Sequence, residues 1–546
     1  MRALLQFDPK GLGNGVPMRE ARSIEPQCRR TQVSHGPSQD RESPASWLGI
    51  PAPVVPVHAD NFPARGFPAG YVSLFDTPIA PTTMALFTSV FRALHPQAVR
   101  AYEGLPGPSP SLPLGNLPDF LGRQTWDVVS DYSARYGGAA VAWLGSRPVV
   151  AVGGRQVLEH VLFDGRHDFQ EPHATRAFLP DDRAPWRNDS TQHVLSGHAA
   201  EGWLADRIQA LAPTLRERAR ALAEESAEKK AHLRLMPPLR RVTFDILSQA
   251  LIGRELGTQA FEDMDLLVRR SSARLMPKAG NKTAEDPALQ AAAQRWRTAW
   301  ASRLAEAERF PGEGPGGAPS QRGDLLGRML RTDTNLDRQY WTDALSELCL
   351  DVALLVPSMV GTALHFLGTH PDWAERLRGS LAELPDDPTP ARMEADVHLD
   401  AILRESLRLW APVPLERRRA LPGAGLSAEG PPLPEAAELL CSSWGLRSDA
   451  HIWGADAEEF RPERWNNKLR KRHPIGSRHF YPLGAGRRAW TSAEVACTLT
   501  RAFLVQWTRT AHFSPPARQL PSAGEVSLLG VRMPMGLRAR VELLPE

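Results

Sequence analysis

From about residue 200 to residue 420, apolar residues recur at steps of three and four, as in "WLADRIQALAPTLRERARALAEESAEKKAHL" and "RRVTFDILSQALIGREL". That recurrence is the period of one helix face, so helices are expected to dominate the middle of the chain. Loops rich in proline and glycine, such as "FPGEGPGGAPSQRGD" (310–324), punctuate them. Earlier the pattern changes. The runs "AAVAWLG" and "RPVVAVGG" meet at Gly145 and Ser146, a spacing that predicts a two-stranded hairpin behind the helix-like "FLGRQTWDVVSDYSARYGG". Ahead of these, the prolines of "EGLPGPSPSLPLGNLP" (103–118) predict a stiff, extended segment in place of helix or sheet. Residues 1–83 are rich in Pro, Gly, Ser and Arg and lack any sustained apolar period, which predicts a disordered N-terminal extension; an overlong start or a targeting arm are the other readings. At Met84 the texture changes to "MALFTSVFRAL", and residues 84–546 are expected to form the folded domain.

Composition narrows the classes. Of 546 residues, 42% are hydrophobic and 23% charged, a balance that can bury a core. The 65 basic and 62 acidic residues leave a net charge of +3, so no global electrostatic case exists for nucleic acid or an anionic membrane. Cys28, Cys349, Cys441 and Cys497 are scattered, which suggests neither a disulfide framework nor a zinc site and makes a reducing compartment the default. No run of 18 apolar residues and no secretory signal is visible, so the expectation is a soluble, cytoplasmic protein without a membrane span.

Three stretches carry chemistry. "AILRESLRLWAPVP" (401–414) sets Glu405 and Arg408 three apart on one helix face, where they can pair. "WGADAEEFRPERWNN" adds Arg464, and "PLGAGRR" follows. In that order and at those distances they resemble the cytochrome P-450 family, over roughly residues 100–545. The resemblance takes in a proline hinge at Pro106 and Pro108, the hairpin, the helix before "HPDW" (370–373) and a C-terminal strand pair. It implies a mainly α fold with a small β region, and a buried structural triad of Glu405, Arg408 and Arg464.

The same resemblance identifies where the chemistry should be. The family's haem loop reads Phe-x-x-Gly-x-Arg-x-Cys-x-Gly, and the aligned residues here are Leu483, Gly486, Arg488, Trp490 and Ser492. The axial cysteine is thus Trp490. An indole has an N–H donor and no lone pair for iron, whereas a thiolate pushes electron density that favours O–O cleavage. Trp490 is expected to fill space that a haem needs. Cys497, seven positions on, lies about 10 Å further along a helix and is expected to be a small buried hydrophobe; His473 and His479 are expected to be exposed loop residues. The family's acid and threonine that relay protons fall on Leu354 and Leu355, so no general acid–base help is available there. Pro357 follows and predicts a kink. A Trp-x-x-x-Arg pattern that holds a haem propionate is reduced to Trp186 and Ser190, with Arg187 adjacent. Ser492 replaces a glycine that lets the backbone pass close under the haem. Meanwhile the scaffold positions Glu405, Arg408, Phe460, Pro462, Arg464, Gly486 and Arg488 remain.

The expectation is therefore a P-450-fold protein without catalytic residues or a bound metal, acting as a non-catalytic binding or helper protein for a partner enzyme in a biosynthetic, secondary-metabolic pathway. The alternatives are a haem-binding oxidoreductase, a monooxygenase acting on a hydrophobic small molecule, and a nonfunctional relic. The basic run "KLRKRH", with Lys468, Arg470, Lys471 and Arg472, is either a solvated loop or a docking patch for a partner enzyme or redox protein on the proximal face. Residues 257–300 align with the family's variable substrate lid.

Overall fold

The helical period of the middle region is realised as long helices around one buried helix. A computed structural model describes residues 81–110, 113–170, 203–274, 287–309, 338–485, 487–516, 525–528 and 530–545. In chain order the first part holds α1 (Pro81–Leu94), α2 (Pro96–Ala101), α3 (Thr125–Arg135), the strands β1 (Ala139–Leu144) and β2 (Arg147–Val152), α4 (Arg155–Glu159) and β3 (Phe169–Gln170). Next come α5 (Trp203–Lys229), β4 (Leu233–Arg234), α6 (Met236–Ile252), α7 (Thr258–Arg274), α8 (Pro287–Arg309) and α9 (Arg338–Thr369). Then follow α10 (Pro371–Ala382), α11 (Pro390–Ala395), α12 (Val397–Leu409), β5 (Leu415–Ala420), β6 (Glu438–Ser442), α13 (Ala450–Trp453) and α14 (Asn467–Arg472). The last elements are α15 (Arg487–Thr510), β7 (Ala511–Ser514), β8 (Glu525–Leu528), β9 (Val531–Pro534) and β10 (Arg538–Leu543). The fold is mainly α with small sheets, as expected.

The predicted hairpin is present in register, with Ala139 opposite Val152 and Leu144 opposite Arg147. Its turn needs a left-handed residue, which Gly145 supplies at φ +65°. The sheet runs in the order β1-β2-β6-β5-β3, and β2 pairs in parallel with β6. A second sheet orders β4-β10-β7, and β8 with β9 forms a separate hairpin.

Helix α9 is the hub. It packs on α6, α8, α12, α15 and strand β9, and Val352, Ala353, Val356 and Val360 on it are wholly buried. Within Thr342–Thr369 an 18-residue stretch reaches a mean hydropathy of 1.6, long and apolar enough to cross a membrane, but 89% of that stretch is inside the protein. A core helix surrounded by other helices is apolar all round, and that explains the composition. The helix continues through Pro357.

Two boundaries also shift. Helix α1 starts at Pro81, three residues before the change of texture at Met84, because proline is well tolerated in a first turn. The proline-rich segment is irregular over 106–110, but Gly115 bridges to Leu144 and residues 117–120 form a 3-10 turn, so its end does join regular structure. Residues 1–80 lie outside the described residues.

Candidate functional site

Helix α12 places Glu405 and Arg408 one turn apart and fully inside, at 0% and 2% exposure. Arg408 grips the carboxylate with two prongs, Nε to Oε2 at 2.9 Å and Nη2 to Oε1 at 2.7 Å. Arg464 donates its Nε to Oε1 at 2.8 Å. The Arg461 amide and the Trp465 indole complete the shell, each at 2.9 Å. Arg464 is itself held by Asp456 at 3.1 Å and by the carbonyls of Trp453 and Asp456 at 2.9 Å. A buried charge persists when its lone pairs and protons are satisfied in this way. The triad thus ties α12 to the segment 453–465.

The glycine-rich loop hangs beside this lock. Leu483 is buried, and Gly484 turns at φ +88°. Strand β5 and its lead-in fasten the chain just ahead of position 486: the Val413 amide donates to the Pro482 carbonyl at 2.9 Å, and Glu416 Oε1 accepts from the Ala485 amide at 2.9 Å. Arg418 bonds both Glu416, at 2.7 Å, and the Ala485 carbonyl, at 2.9 Å. Below lie aromatic rings, with Phe480 at 4.8 Å from Trp465 and 5.9 Å from Trp453. Gly486 lies outside the described residues, as do the side chains of 487–491, those of Arg488 and Trp490 among them. The backbone nonetheless puts Trp490 in the first turn of α15, with Ser492 buried one half-turn later. Leu354 and Leu355 sit on α9 at 1% and 4% exposure, inside the main apolar cluster. They fill volume there. Trp186, Arg187 and Ser190 lie outside the described residues.

The donor chemistry does not fit a thiolate-ligated haem. Cys497 is buried on α15, and burial pushes its thiol up to about 11, so it is protonated at neutral pH. Cys441 on β6 is pushed up to about 12 by the same cause, and Cys349 on α9 is raised as well. His473 is not an exposed loop residue as expected. It caps α14 at 3% exposure against Trp453, and burial, then His479, lowers its pKa. His479 is half-buried with Nε2 on Glu159 at 2.9 Å. Among the described residues no cluster of three His, Cys, Asp or Glu could hold a metal.

The basic run is a helix, α14, capped by the Asn466 side chain, and not a loop. Arg470 is also not available for docking: its Nε pairs with Asp400 at 2.9 Å. Asp400 is wholly buried and also receives Arg404 at 2.6 Å and Arg501 at 3.2 Å. That leaves Lys468, Lys471 and Arg472 exposed. The predicted lid region forms α7 and α8, with 275–286 outside the described residues. Sequence reasoning missed Glu416 and Arg418, although a carboxylate and a guanidinium two apart on a strand share one face.

Comparison with known proteins bears on the whole arrangement. A sequence profile described as Cytochrome P450 matches residues 105–284 and 358–490. Pisatin demethylase of Fusarium vanettenii is 34% identical over 139 residues, 25% of this chain and only 27% of that protein. Cytokinin hydroxylase of Arabidopsis thaliana is 22% identical over 441 residues, 72% of this chain and 83% of its own. Among solved structures, a cytochrome P450DA heme domain superposes with a TM-score of 0.66 at 15% identity, over 80% of this chain and 97% of that one, which speaks for the fold alone.

Proposed function

Because the chain belongs to the cytochrome P450 family, we propose that it keeps the family framework but not its thiolate-haem oxygen activation, and acts by docking on and supporting a partner enzyme. One observation carries this reading: the ligand position is a tryptophan in the first turn of α15, and the cysteines of the described residues are buried, protonated thiols. The framework supports itself. Glu405 and Asp400 draw their partners from the chain, and Glu416 closes the loop with the chain's own carboxylate. A fold locked by internal ion pairs can serve as a rigid binding body.

A second reading is an oxidoreductase, a monooxygenase on a hydrophobic small molecule, in which iron has another ligand. The relatives favour it, since one is named a demethylase and another a hydroxylase, and the comparisons fit it at least as well. Haem content separates the two. The pyridine haemochrome of protein purified from cells fed a haem precursor is expected to give far less than one haem per chain, and a neighbouring pathway enzyme is expected to copurify. One haem per chain would overturn the first reading; haem-free protein that captures no such enzyme would leave neither standing.

A further inference from the structure

The turn that follows α14 is anchored on its two sides by different chemistry. On the outer side Arg478 pairs with Asp164 at 2.6 Å, and His479 Nε2 meets Glu159 at 2.9 Å. On the inner side the His473 ring is buried, with its centroid 5.4 Å from that of Trp453 and 5.4 Å from that of His479. Between them Gly476 turns at φ +87° and donates its amide to the Phe480 carbonyl at 2.8 Å. Helix α14 itself is pinned further back, by Arg470 on Asp400.

Acid acts oppositely on the two sides. A proton on His479 turns its contact with Glu159 into an ion pair. A proton on His473 finds no such partner. Its own helix offers the cations Lys471 and Arg472, α12 brings Arg404, whose Nη1 reaches the His473 carbonyl at 3.4 Å, and the turn brings His479. The carboxylates of the surrounding elements are committed elsewhere. Glu159 serves His479, Asp400 serves Arg404, Arg470 and Arg501, and Asp449 caps α13. Glu405 serves the Trp465 indole, Arg408 and Arg464, with Arg408 lying over the Trp453 ring. Burial, then His479 and Arg472, accordingly lowers the His473 pKa. A charged ring gains solvation only by leaving the aromatic pocket for water.

We propose that the segment 471–477 is an acid-released latch: when His473 takes up a proton its ring leaves Trp453, and the end of α14 opens while Arg470 and the 478–479 contacts hold both flanks. The latch is independent of whether the protein holds haem. The test is amide hydrogen exchange of the full chain, read by mass spectrometry between about pH 7.5 and 5.5 and corrected for the intrinsic rate at each pH. Peptides spanning 469–477 are expected to lose protection below about pH 6.5, by up to about tenfold per pH unit, because the open state takes the proton at the ordinary histidine value. Their exchange should be insensitive to sub-denaturing urea, whereas α12 peptides, which exchange through global unfolding, should speed up with it. His473→Phe keeps an aromatic ring without a titrating group and should hold protection constant with pH. His473→Gln serves if the phenyl ring is not accommodated, and circular dichroism checks that each variant folds. Protection of 469–477 that is flat with pH in the wild type would overturn the latch. So would loss that persists in the folded variants, or exchange of 469–477 that rises with urea as steeply as that of α12.

Discussion

The carboxylate of Glu405 and the loop around Trp490 belong to neighbouring parts of one framework, and they have fared differently. Around Glu405 every lone pair has a donor, drawn from Arg408, Arg464, Arg461 and Trp465. The loop is fastened as firmly at its start, by Glu416 and Arg418, yet it enters α15 with an indole where the family places its sulfur, and α9 contributes leucines at 354 and 355. Groups that hold the fold together are complete; in the proposed reading, groups that would handle a cofactor are replaced. The difference teaches that the locks are internal salt bridges made by the chain's own residues, so the proposed loss of chemistry would leave the scaffold standing.

The sharpest way to break the comparison is at the lock. Glu405→Gln strands two buried guanidiniums and is expected to cost about 3–5 kcal/mol of unfolding free energy, read by urea denaturation. A loss under 1 kcal/mol would mean that the triad is not what holds α12 to the segment 453–465. Glu416→Gln tests the loop in the same currency. It weakens two charge-assisted hydrogen bonds and should cost about 1–3 kcal/mol, with faster hydrogen exchange at the Ala485 amide; unchanged exchange would show that the clamp does not shape the loop.

Acid probes the edge of the aromatic floor. The pKa of His473 is lowered in the native state, so the unfolded chain takes up its proton first as pH falls through the ordinary histidine value of about 6.5. Stability should then decline with falling pH in a window that opens there and closes below the lowered native value. His473→Gln should flatten that part of the profile, measured by urea midpoints at several pH values. An unaltered slope would assign the effect to other groups.

The smallest effects separate two kinds of basic residue. Replacing Lys468, Lys471 and Arg472 together with alanine should change stability by no more than about 0.5 kcal/mol, because these side chains are exposed. Arg470→Ala should cost distinctly more, since it removes one of three cations from the fully buried Asp400. Equal effects would return Arg470 to the solvated face.

Much of this was legible from the residues. Glu405 and Arg408 are one helical turn apart, so local spacing showed that the two can pair; Arg464, 59 residues on, joined them only through the resemblance to the family. The hairpin was legible for the same reason, since its register is set by one two-residue turn. Asp400 was legible only in part: Arg404 follows four residues on along α12, but Arg470 and Arg501 come from α14 and α15, and that convergence leaves no trace in spacing. The burial of His473 was missed because the polar run before it reads as surface, while the ring itself turns under α14 onto Trp453.

The central claim is that position 490 supplies no thiolate and that no other residue replaces it. The most direct measurement is the visible spectrum of the purified, haem-supplemented protein, reduced with dithionite and exposed to carbon monoxide. No band in the position given by a thiolate-ligated haem is expected; a thiolate-type reduced-CO band at one equivalent per chain would contradict the account.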